Sequence, residues 1–186
     1  MVPRMSAEEA ALFVSFVKNS RDYVEFGTGG STVLASKHVK NSIFSVDSSQ
    51  EWLDQVSRAC DSSRTKPQLK FVDVGPTGDW GFPVDGSTKS RWPDYHSEIW
   101  KVRQSSDADL YLVDGRFRVA CFAQIVLHCK PNAIIGIHDF SSRPAYHCVR
   151  EIAQEIATAG DMSFFLPLSR RQIAETILQS HQADPS

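Results

Sequence analysis

The sequence predicts a doubly wound α/β domain, a mostly parallel sheet of about seven strands with helices on both faces. Three observations carry this. Short β-prone runs alternate with amphipathic helical stretches, which imposes parallel pairing through right-handed crossovers. The runs Leu110–Val113 and Ala133–Ile137 are apolar throughout, as strands buried on both faces require. Glycines 27, 29 and 30 cluster where the first strand gives way to a helix. The 186 residues fit one domain, and 41% hydrophobic content is enough for a packed core.

Taken in order, residues 6–18 form an amphipathic helix. Ser6 caps it, Glu9 completes a capping box, and Leu12, Phe13, Phe16 and Val17 share a face that packs on the domain edge or covers a ligand. Tyr23–Phe26 is a strand ending at the glycines, and residues 31–38 are a helix. Ile43–Val46 is the next strand, residues 50–60 a helix, and Leu69–Val74 a strand. Residues 75–95 break the rhythm with prolines, glycines, Trp80, Phe82, Trp92 and Tyr95, a long aromatic loop of the kind that forms a lid, a substrate wall or plain cover. Residues 96–104 have helical character, Leu110–Val113 is a strand delivering Asp114, and residues 119–128 are a helix. Ala133–Ile137 delivers His138 and Asp139, and residues 144–157 read as the following helix. Met162–Leu166 and Ile173–Leu178 read as a closing pair of strands, with helix as the alternative for the second, and residues 181–186 as a frayed tail.

A net charge of -2 with dispersed basic residues provides no footprint for a polyanion, so nucleic acid is not expected as a partner. Cys60, Cys121, Cys129 and Cys148 lack a CxxC pair or zinc spacing and are read as reduced, mostly buried thiols. No apolar run is long enough to span a membrane and the start lacks a signal-peptide core. The expectation is a cytoplasmic protein with a small-molecule substrate and no membrane partner, and with homo-oligomers left open.

A glycine turn between strand and helix lets the backbone approach a ligand closely. Asp47 ends the second strand about 20 residues later, where a carboxylate can accept the two hydroxyls of a ribose. The dinucleotide pattern G-x-G-x-x-G/A fails here, because its third glycine position falls on Thr32. Glu25, just ahead of the first glycine, would repel a pyrophosphate and suits a cationic ligand.

On Glu25-Phe26-Gly27-Thr28-Gly29 together with Asp47, the chain resembles the class I S-adenosylmethionine-dependent methyltransferases, whose first motif is an acid followed by x-G-x-G. The resemblance implies a Rossmann-like fold, S-adenosylmethionine as cofactor and methyl transfer to a small acceptor. It places Asp73 or the backbone of Val74 near the adenine and Asp114 beside the methyl group. The expected cofactor site therefore comprises Glu25, Gly27, Thr28, Gly29, Gly30, Ser31, Asp47, Ser48, Asp73 and Asp114.

Reacting groups of open α/β sheets gather at the carboxyl ends of the strands. Asp114, Arg116, His138 and Asp139 fall there, with His138 as a candidate base and Arg116 and Arg118 as surface residues or holders of an acidic substrate. His96, His128 and His147 are read as packed or surface histidines. No metal is expected. The alternative is magnesium between Asp114 and Asp139, as in catechol-type O-methyltransferases, although Phe140 stands where that family has asparagine. Two other functions share the pattern: a NAD-dependent oxidoreductase, and a non-catalytic binding protein that keeps the fold.

Overall fold

A computed structural model describes the chain from Met1 to Ser186. Helix α1 (Ala7–Asn19) begins as expected, Ser6 and Glu9 closing a reciprocal capping box. It leads into β1 (Asp22–Phe26), α2 (Gly30–Ser36), β2 (Ser42–Asp47), α3 (Gln50–Ala59) and β3 (Gln68–Phe71). The aromatic segment then folds into short 3-10 turns and α4 (Pro93–Ser97), followed by β4 (Leu110–Val113), α5 (Arg118–His128) and β5 (Ile134–Ile137). A 3-10 helix at Pro144–Glu151, strands β6 (Ala153–Ala159) and β7 (Met162–Pro167), and α6 (Arg171–His181) complete the chain.

The sheet has seven strands in the order β3-β2-β1-β4-β5-β7-β6, with β7 antiparallel to both neighbours. Alternate residues of one strand face opposite layers. Tyr23, Ile43, Leu110 and Leu112 meet Phe13 and Val17 of α1, whereas Val24, Phe44, Tyr111 and Val113 meet α4 and α5. Strand order reverses at β1, which pairs with β2 on one side and β4 on the other. Phe26 stands level with Val46 and Val113, so three strands end together and open a crevice at the switch point. No helix is long and apolar enough to cross a membrane.

Four expectations are corrected. Residues 144–157 are not one helix: the chain turns at Glu151, and Ala153–Ala159 is an edge strand whose burial alternates. Gln154, Glu155 and Ala157 tolerate a helix, but pairing with β7 through a bulge at Glu155/Ala157 decides the outcome. Ile173–Leu178 is helix, burying Ala174 and Ile177, because β6 already occupies the sheet edge. The tail is tied down, the Arg118 amide donating to the Ser186 carbonyl at 3.2 Å. Finally, β3 stops at Phe71, and beyond it Val72 and Val74 turn inward while Asp73 turns out.

Cys60 and Cys121 are buried, Cys129 and Cys148 half-buried, and all four are free. His96 and His128 are packed against Gln124, and His147 against Phe140.

Candidate functional site

The ends of β1, β2, β4 and β5 enclose one cavity of about 790 Å³. Gly27, Thr28, Gly29, Gly30, Ser31 and Asp47 form one end of its wall, and Asp114, Arg116, His138 and Asp139 the other. Four expected residues stand differently. Glu25 lies beneath the glycine turn, fully buried, and does not reach the cavity. Ser48 flanks the wall beside Gly81 without lining it. Asp73 accepts the Gly75 amide and pairs with Arg91 on the surface, away from the cavity, and the Val74 carbonyl is taken by Thr88 and Trp92. Of the proposed lid residues, Trp92 is core, whereas Trp80 and Phe82 do line the cavity.

At the glycine-turn end, Gly27 adopts φ 99°, a left-handed conformation, and packs on the backbone of Gly115. Asp47 joins the second strand to the turn. One carboxylate oxygen accepts the Thr28 amide at 2.9 Å and the other the Ser49 amide at 3.0 Å. Burial pushes its pKa up against these bonds, yet lone pairs remain for further donors on the cavity side. The indole N–H of Trp52, on α3, donates to the Thr28 carbonyl and sets the floor of the turn.

Glu25 braces this turn from below, accepting from the hydroxyls of Ser31 and Thr32 and, at 3.3 Å, from Ser45. The Thr32 hydroxyl in turn accepts the Gly29 amide at 2.8 Å. The residue that breaks the dinucleotide pattern is therefore the strut that holds the turn. Burial lifts Glu25 to a pKa of about 7, the hydroxyl donors opposing it. The native state then holds a proton that the unfolded chain releases near pH 4.5. Stability from this group is complete below pH 4.5 and fades as pH rises through 7, by on the order of 3 kcal/mol. Glu25→Gln is expected to flatten the fall in melting temperature between pH 4.5 and pH 7. An unchanged slope would show that Glu25 is ionised throughout.

The other end is a charge network. His138 Nδ1 donates to Asp114 at 3.0 Å, with Asp139 at 3.6 Å, and Nε2 faces Glu9 of α1 at 3.6 Å. Burial alone would lower the His138 pKa, but Asp114, Asp139 and Glu9 outweigh it and the net shift is upward. The imidazolium contributes stability that is whole below about pH 6.5 and lost as pH rises through the raised native pKa. The raised pKa widens the pH range over which the ring is protonated, and in that form it donates hydrogen bonds and does not accept a proton. NMR titration should place His138 above 6.5, and Asp114→Asn should lower it. A value unmoved by that change would refute the pairing.

Asp139, at φ 56°, is held by Arg118 Nη1 at 2.8 Å and Arg143 Nη2 at 3.0 Å. Asp114, His138 and Asp139 bring three potential metal-ligand atoms within 4.8 Å of one another. Arg118 and Arg143 both already pair with Asp139, and His138 Nδ1 with Asp114, so a cation here would have to displace these partners. The same end contains groups the sequence did not mark. Glu9, read only as a cap, also accepts the Asp161 amide at 2.7 Å. Arg4 lies over Trp80 at 4.3 Å and Arg116 over Phe82 at 4.0 Å, joining the N-terminal segment and the aromatic loop to the cavity wall.

No protein-family model matches the chain, and no curated protein matches it by sequence. Among solved structures it is similar to a methyltransferase-like protein from Silicibacter pomeroyi, at 27% identity and TM-score 0.86, over 98% of this chain and 97% of that one. It is also similar to an O-methyltransferase from Bacillus cereus in complex with SAH, at 14% identity and TM-score 0.56, over 89% and 84% of the two chains. An rRNA methylase from Streptococcus thermophilus aligns at 11% identity and TM-score 0.56, over 91% and 99%. The last two likenesses concern the fold alone.

Proposed function

We propose that this chain, whose fold is that of the class I S-adenosylmethionine-dependent methyltransferases, binds S-adenosylmethionine and transfers its methyl group to a small-molecule acceptor. The observation that carries this is the convergence of Asp47 and the Gly27–Gly29 turn on one wall of a cavity of about 790 Å³, a size usual for cofactor sites. The fit is chemical as well as spatial. Asp47 offers acceptors to a ribose, and an added Cβ at Gly29 would meet no protein atom nearer than Trp52 Nε1 at 3.9 Å, so that glycine keeps cavity space open. The first motif's Glu25 acts indirectly, by holding Ser31 and Thr32.

When bound, S-adenosylmethionine supplies a methyl group activated by its sulfonium. The chain supplies position and field. Asp47 and the glycine turn fix the nucleoside end; Asp114, anchored by His138, places a carboxylate at the opposite end, where a positive centre is favoured. His138 holds Asp114 in place through Nδ1.

Transfer of a tritiated methyl group to a panel of small hydroxylated, amine and thiol acceptors tests the reading. Label on one acceptor class supports it, and cofactor binding without transfer across the panel would favour a binding protein. EDTA is expected to leave binding and transfer unchanged; a rate restored by magnesium would contradict the assignment of the Asp139 partner to Arg118.

A further inference from the structure

We infer that Arg116 is the anchor for a carboxylate on the acceptor, with the body of that molecule lying along Phe82. This rests on the methyl-transfer reading only in calling the ligand the acceptor.

Arg116 and Arg118 look alike in the sequence and differ sharply in the structure. Arg118 is fully engaged: it pairs with Asp139 and Asp114 and donates to the carbonyls of His138 and Gly115. Arg143 has Asp139 and Tyr146. Arg116 is only 6% exposed, yet no carboxylate stands within ion-pairing distance of it. Its side chain makes one long bond, from Nη1 to the Pro185 carbonyl at 3.4 Å. Its Nε is buried without any partner, and Nη2 has none either.

A buried guanidinium without an anion is costly, and such groups are almost always paired. The side chain forms part of the cavity wall, so the missing partner can come from a ligand. The flat face of the guanidinium is covered by the Phe82 ring at 4.0 Å, which leaves its edge as the recognition surface. Nη2, free of any partner, can give a carboxylate a charge-assisted hydrogen bond, while Nε is closed off behind it. Asp114 and Asp139 are engaged by His138, Arg118 and Arg143, and Asp47 feels the Arg116 charge without forming an ion pair with it. Phe82, exposed at the cavity, adds an apolar surface beside Nη2.

Calorimetry with benzoate and its neutral isostere benzamide tests this, on wild type, Arg116→Gln and Arg116→Lys, with and without saturating S-adenosylhomocysteine. The inference predicts that wild type binds benzoate and not benzamide. Arg116→Gln should weaken benzoate about tenfold or more and Arg116→Lys should be intermediate, while the affinity for S-adenosylhomocysteine stays within about twofold. Absence of benzoate binding to wild type, or equal binding of benzamide, overturns it. So does a loss of S-adenosylhomocysteine affinity in Arg116→Gln that matches the loss for benzoate, since the group would then serve the cofactor. If Arg116→Gln fails to fold, the benzoate-to-benzamide ratio in wild type and Arg116→Lys decides. Benzoate binding without any binding of S-adenosylhomocysteine would leave this anion site standing while the methyl-transfer reading fails.

Discussion

Gly27→Ala is expected to lower stability by about 3 kcal/mol, and Gly29→Ala to leave stability nearly unchanged while abolishing cofactor binding. The two glycines are two residues apart and do different work. At Gly27 the backbone is left-handed, which costs a non-glycine residue about 1 kcal/mol. A Cβ there would stand 2.4 Å from the Gly115 amide nitrogen, which is backbone and can yield only by moving β4 against β1; overpacking of this kind adds about 1–3 kcal/mol. In a chain of this size that sum is a fall of roughly 6–12 °C in melting temperature. At Gly29 the backbone is extended, at φ 179°, and the nearest obstacle to a Cβ is 3.9 Å away. A methyl group is tolerated by the fold and intrudes on the ligand. Thermal melts together with S-adenosylhomocysteine titrations separate the effects. Equal melting temperatures for the two variants would contradict the Gly27–Gly115 contact as the cause.

Asp47→Ala should weaken S-adenosylhomocysteine by about a hundredfold or more. Hydrogen bonds to a charged acceptor contribute about 1.5–3 kcal/mol each, and 1.4 kcal/mol is a factor of ten in affinity. The variant should also lose about 1–3 kcal/mol of stability, because the amides of Thr28 and Ser49 lose their acceptor. Asp47→Asn retains one acceptor oxygen and should fall between. Unfolding in urea and calorimetric titration measure the two losses separately; an affinity loss below about threefold would remove Asp47 from the site.

The parts of this structure legible in the sequence were those set by local pattern. The capping box at Ser6 and Glu9, the apolar strands β4 and β5, and the glycine turn followed by Asp47 stand where periodicity and spacing put them. Misread segments were those decided by remote partners. Ala153–Ala159 has residues at ease in a helix, and only the open edge of β7 makes it a strand. Asp73 ends a β-prone run, but the strand stops at Phe71, and the inward turn of Val72 and Val74 sends the carboxylate to the surface.

At the site, residue types were legible and their pairings were not. Glu25 was marked as an acid for the ligand, whereas the hydroxyls of Ser31 and Thr32 claim it first. His138 reads in the sequence as a lone candidate base; the structure surrounds it with carboxylates from three separate elements, Glu9, Asp114 and Asp139, which raise its pKa. The difference between Arg116 and Arg118 depends on where Asp139 and the His138 carbonyl lie, which no spacing along the chain encodes.

The central claim is that this cavity is built for an adenosyl ligand held by Asp47 and not for a dinucleotide. Isothermal titration of the wild-type protein with S-adenosylmethionine, S-adenosylhomocysteine and NAD tests it most directly. The predicted result is binding of both adenosyl ligands in the micromolar range and none of NAD; binding of NAD, or of none of the three, would contradict it.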